Sequence, residues 1–88
     1  MNEKTRMKAN ELYQSIGSLK TTIETCEKGL EYLTVEYPDQ QTTRIEFRTK
    51  NSNGTHRFNR TNVIILLTLE LAELRQELVR LETEYKAL

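Results

Sequence analysis

Apolar residues recur in the N-terminal part of the chain at Leu12, Ile16, Leu19, Ile23, Cys26, Leu30, Leu33 and Tyr37, alternately four and three residues apart. An unbroken 4–3 spacing is the a/d seam of a heptad repeat and predicts a helix over about 3–36. Pro38 sets its end, because the residue before a proline is held out of the helical region. Gly17 and Gly29 fall inside this helix but off the seam, each costing about 1 kcal/mol relative to alanine. A second stripe runs through Ile64, Leu67, Leu71, Leu74, Leu78, Leu81, Tyr85 and Leu88 with the same alternation. It predicts a helix over about 61–87, with Asn59, Thr61 or Asn62 supplying the N-cap oxygen.

Between the two stripes the period changes to two. Thr43, Ile45, Phe47 and Thr49 alternate with Arg44, Glu46, Arg48 and Lys50, the pattern of a strand with two unlike faces. The run Asn51-Ser52-Asn53-Gly54 then signals a tight turn, since Asn and Gly both tolerate positive φ, and Thr55–Asn59 returns as a second strand. The fold expected is α+β, mainly α: a single domain over 1–88, built as a long antiparallel two-helix coiled coil with a β-hairpin (about 42–59) between the helices. Short connections make the helices neighbours, with Leu33 near Ile64 and Leu67, Cys26 near Leu71, Leu19 near Leu78 and Leu12 near Tyr85.

Two hairpin registers fit the turn. A two-residue Asn53-Gly54 loop sets Lys50 opposite Arg57 and Thr49 opposite Phe58. A loop from Asn51 to Gly54 sets Arg48 opposite Arg57 and Phe47 opposite Phe58. In both, Ile45, Phe47 and Phe58 share one face, and Arg44, Arg48, Lys50 and Arg57 share the other, because side chains alternate strictly along a strand. His56 falls on the phenylalanine face and reads as a structural residue.

The second helix carries apolar residues that the seam does not use. Ile65, Leu69, Ala72 and Val79 form their own stripe on the side away from the first helix, with Val63 and Leu66 beside it; Tyr32 and Val35 add apolar surface at the same end of the first helix. These eight residues are the expected interface of a homo-oligomer, because so small a chain has little core of its own.

Charge sharpens the reading of the hairpin. The whole chain is neutral, yet residues 1–40 carry a net charge of −2, residues 61–88 another −2, and residues 41–60 a net of +4. Arg44, Arg48, Lys50 and Arg57, with Arg60 nearby, are therefore the expected anion-binding residues, their partner a nucleic acid, a nucleotide or an acidic protein surface. The same cations also suit an edge strand protected against aggregation, or ion pairs with Glu31, Glu36 or Asp39 of a neighbouring subunit.

Other chemistry is sparse. One cysteine excludes an internal disulfide and one histidine leaves too few ligands for a closed zinc site. There is no glycine-rich phosphate loop and no Cys/His or carboxylate constellation with catalytic spacing, so no enzyme, metal or cofactor is expected. The longest apolar run, Val63 to Leu67, is far short of the ~20 residues of a membrane span, and the polar N-terminus is unlike a signal peptide. A cytoplasmic binding protein is expected, of the kind found among small bacterial or phage accessory proteins and inhibitors.

The helix–hairpin–helix order, with its long antiparallel seam, resembles the β-type prefoldin subunit. That resemblance implies a chaperone whose helix tips hold unfolded clients on exposed apolar residues; Met7, Leu81 and Leu88 stand at the corresponding tips. A basic sheet between acidic helices is also similar to small nucleoid-associated proteins that dimerise through a helix-flanked sheet.

Overall fold

A computed structural model describes residues 2–88. Helix α1 (Glu3–Glu31) starts where the Asn2 side chain accepts the Thr5 N–H at 2.8 Å, satisfying one of the free donors of the first turn. Its threonines are accommodated by bonding back to the preceding turn: the hydroxyls of Thr21, Thr22 and Thr25 donate to the carbonyls four residues earlier. The last turn of the predicted helix, Tyr32–Glu36, is a π-helix. Tyr37 N–H donates to the Tyr32 carbonyl at 3.0 Å, which widens the turn and brings the two tyrosine rings together, tilted by 45° with centroids 4.7 Å apart. Tyr37 is thereby drawn off the seam and left 45% exposed. Pro38 and Asp39 then turn the chain into the hairpin.

Strands β1 (Thr42–Arg48) and β2 (Asn53–Asn59) form one antiparallel pair. Its register differs from both registers expected from the Asn-Gly signal: Arg44 pairs with Arg57, Ile45 with His56, Phe47 with Gly54 and Arg48 with Asn53. Asn53 and Gly54 lie in β2, not in the turn. The turn is Thr49–Ser52, closed by local hydrogen bonding. Thr49 N–H and Thr49 Oγ1 both donate to the Ser52 carbonyl (2.8 and 2.7 Å), and Ser52 N–H donates to Thr49 Oγ1 (2.9 Å). The Thr49 hydroxyl thus bonds both backbone groups of Ser52 across the turn, and among the described residues none has positive φ.

Helix α2 (Arg60–Lys86) is capped by Asn59, whose side chain accepts the N–H groups of Thr61 and Asn62. It runs antiparallel to α1. Lys8 pairs with Glu84 at one end and Arg75 with Glu27 further along, while Gly29 faces Leu67 near the hairpin. The core between them is thin: Leu12, Ile23, Leu33, Val63 and Leu71 are the buried apolar residues. Val63, expected on an outward-facing interface, is 8% exposed and belongs to this core, because the hairpin folds over the first turn of α2. The other expected interface residues, Ile65, Leu66, Leu69, Ala72, Val79, Tyr32 and Val35, are exposed.

The candidate anion-binding face

The face of the hairpin that carries the cations is set by strand parity. Arg44, Glu46 and Arg48 of β1 share it with Arg57 of β2; Ile45, Phe47, His56 and Phe58 point the other way. Aromatic packing holds the second face together, with Phe47–Phe58 centroids at 5.9 Å and His56 edge-on to Phe58 at 4.8 Å. His56 is thus placed as a packing residue of the apolar side.

The structure divides the expected cations into three groups. Arg44 and Arg57 stand directly opposite each other. Among the described residues neither has a carboxylate within ion-pairing distance; Arg57 Nη1 makes a long 3.4 Å contact to Thr42 Oγ1. Arg48 is engaged by Glu46, Nε to Oε1 at 3.2 Å, and Lys50 lies in the turn at the hairpin tip. From Arg44 to Arg48 the strand spans about 13 Å, and Lys50 lies beyond it in the turn. Arg60 is not on this face. It opens α2, is partly buried, and its Nε donates to the Leu33 carbonyl at 2.8 Å, while its own N–H donates to Gln41 O. It ties the start of α2 to the π-helical turn, whose altered bonding leaves that carbonyl in need of a donor.

Arg44 and Arg57 also border a cleft of about 510 Å³ between β1 and the end of α1. Gly29, Leu33, Val63 and Leu67 contribute its apolar wall, and Tyr32, Gln40 and Thr42 add polar groups. Its lining holds no carboxylate, histidine or cysteine. The cleft therefore offers guanidinium, amide and hydroxyl groups to an anion over an apolar floor, but nothing that titrates near neutrality. Gln40 and the cleft itself had no signal in the sequence, since both depend on how the hairpin leans over α1. A second cleft, of about 380 Å³, lies on the other side of the hairpin base between Phe47, Phe58, Asn62 and Leu66, and shares Ile45 and Val63 with the first.

No helix is long and apolar enough to cross a membrane among the described residues, and no cluster of three or more His, Cys, Asp or Glu side chains is placed to hold a metal. No protein-family model matches the chain, and no curated protein or solved structure matches it either.

Proposed function

We propose that this chain is a non-enzymatic binding protein whose basic hairpin face engages an anionic partner, with Arg44 and Arg57 as the central contacts and Arg48 and Lys50 extending the surface toward the tip. The observation that carries this reading is the apposition of two arginines with no carboxylate between them. Like charges directly opposite on a sheet cost stability, and a bound anion removes that cost. Among anions, a phosphate-bearing partner fits best, because guanidinium forks match phosphate oxygens in pairs. A nucleic acid strand would follow the cationic face from Arg44 through Arg48 toward Lys50; a nucleotide would use the cleft beside Arg44.

The test is fluorescence anisotropy of a labelled single-stranded oligonucleotide and of a labelled nucleotide at low salt. Binding that weakens steeply with salt supports the proposal, and Arg44→Gln/Arg57→Gln should lower the salt slope by about 2 while the circular dichroism spectrum stays unchanged. If neither probe binds, or the double variant binds as the parent does, the basic face is a solvated edge.

A second reading follows from the opposite end. Met7, Tyr13, Tyr85 and Leu88 are 41–70% exposed near the free ends of the helices, the place where a prefoldin-like chaperone would hold clients. Suppression of the thermal aggregation of a model client, lost in Met7→Ser/Tyr13→Ser, would favour that reading.

A further inference from the structure

Helix α2 carries two heptad seams. The first, through Leu67, Leu71, Leu74 and Leu78, faces α1. The second runs through Ile65, Leu69, Ala72, Gln76 and Val79 with the same four–three alternation, on the opposite side of a 3.6-residue helix. Along it Ile65, Leu69 and Val79 are 53–64% exposed. The second cleft opens at its N-terminal end, where Leu66, 61% exposed, lies beside Ile65 and lines the cleft with Phe47 and Phe58.

The surface area states what this stripe lacks. The chain exposes 7182 Å², whereas a compact monomer of 10.4 kDa exposes roughly 5,400 Å². The radius of gyration is 17.4 Å against about 12 Å for a compact domain of this length. The excess area is on the order of 1,800 Å², about twice the ~800 Å² that each partner buries in a standard stable interface.

We infer that the outer seam of α2 docks on the same seam of a second copy of this chain, with the two α2 helices antiparallel. Charge selects the direction. Residues 61–69 carry no charge, residues 70–88 carry a net −2, and the hairpin segment 41–60 carries +4. Parallel docking sets two basic hairpins side by side. Antiparallel docking sets each basic hairpin against the acidic half of the partner's α2 and opposes the two helix dipoles. Overlap then selects a register. An antiparallel seam layers each a position on a d position of its neighbour, and Leu69 meets an apolar d position at the partner's Ile65, the partner's Ala72 or the partner's Val79; of these, only the Val79 layer overlaps the two helices over nearly their whole length. That layer also sets small Ala72 against the longer side chain of the partner's Gln76. The last turns of the partner's α2 then lie over the cleft bounded by Phe47, Phe58 and Leu66. The docking uses the hairpin's net charge and its apolar face, while Arg44 and Arg57 lie on the opposite face of the hairpin, so it does not rest on the proposed anion binding.

Sedimentation velocity on the full chain at micromolar concentration tests the partner. A dimer that becomes a monomer in Leu69→Glu/Val79→Glu, with helical content retained, supports the inference; a monomeric parent, a trimer, or a double variant that stays dimeric overturns it. Disulfide trapping tests the direction without disturbing the fold. In a Cys26→Ala background, Leu69→Cys and Val79→Cys proteins should cross-link when mixed and stay unlinked when oxidised alone. Efficient linking of Leu69→Cys to itself would mean parallel helices and overturn the antiparallel arrangement.

Discussion

Arg44 and Arg57 face each other across the β1–β2 ladder, and the acid on their face, Glu46, is held by Arg48 at 3.2 Å. The pair is a local electrostatic cost placed at the mouth of a cleft. Arg57→Glu converts the like-charge pair to an opposite-charge pair, and cross-strand pairs are worth about 0.2–1 kcal/mol. The variant should therefore be as stable as the parent or slightly more so in urea unfolding, while losing anion binding. Lower stability would mean that the arginines hold the hairpin in place.

Arg60 separates structure from function among the five expected cations. Its Nε–H on the Leu33 carbonyl is a charge-assisted bond worth about 1.5–3 kcal/mol. Arg60→Ala should lower the unfolding free energy by roughly that amount, and leave the affinity of the folded protein for an oligonucleotide unchanged.

The turn gives the sharpest contrast with the Asn-Gly signal. A Cβ added at Gly54 would meet nothing within 4 Å, and its φ is not positive. Gly54→Thr should be neutral, or stabilising by up to about 1 kcal/mol, because a β-branched residue suits a strand. Thr49→Val, which deletes the hydroxyl that closes the turn, should instead destabilise by about 1 kcal/mol. Denaturant midpoints of the two variants, read against the parent, decide between the turn seen here and one at Asn53-Gly54.

Burial ranks the leucines of α2. Leu71 is 3% exposed, so Leu71→Ala should cost about 2–5 kcal/mol. Leu69 is 60% exposed, so Leu69→Ala should cost within about 0.5 kcal/mol in an isolated chain. A cost for Leu69→Ala that grows with protein concentration would report the α2–α2 contact.

Glu77 is held below its usual carboxylate value by hydrogen bonds from the Arg80 guanidinium, the pair meeting at 2.9 Å through Nε. A depressed folded value contributes stability above the ordinary value of 4.5, and that contribution disappears as pH falls through the lower folded value. Helical signal from α2 should therefore melt more easily in acid, and Glu77→Gln should flatten that part of the profile.

Much of this architecture is legible in one dimension because its causes are local. The 4–3 stripes mark both helices, Pro38 ends the first helical stretch, and Asn59 caps α2. The partition of Arg44, Arg48 and Arg57 from Ile45, Phe47 and Phe58 survives the wrong turn, since the two expected registers and the observed one all pair odd with even positions. Only a slip of the other parity would have exchanged the faces.

The register was hidden for a local reason: two turn chemistries compete, and Thr49 with Ser52, not Asn53 with Gly54, forms the hairpin tip, which brings Arg44 rather than Arg48 or Lys50 opposite Arg57. What tertiary structure alone decided depends on contacts between distant segments. The hairpin's lean over the helix pair buried Val63 and enclosed the cleft at Gln40. The widened turn at Tyr32–Glu36 left the Leu33 carbonyl to Arg60, 27 residues onward. Periodicity names the faces an element will have; which residues meet across those faces is settled by packing, because a hydrogen bond or an apolar contact acts over a few ångströms of space and is indifferent to distance along the chain.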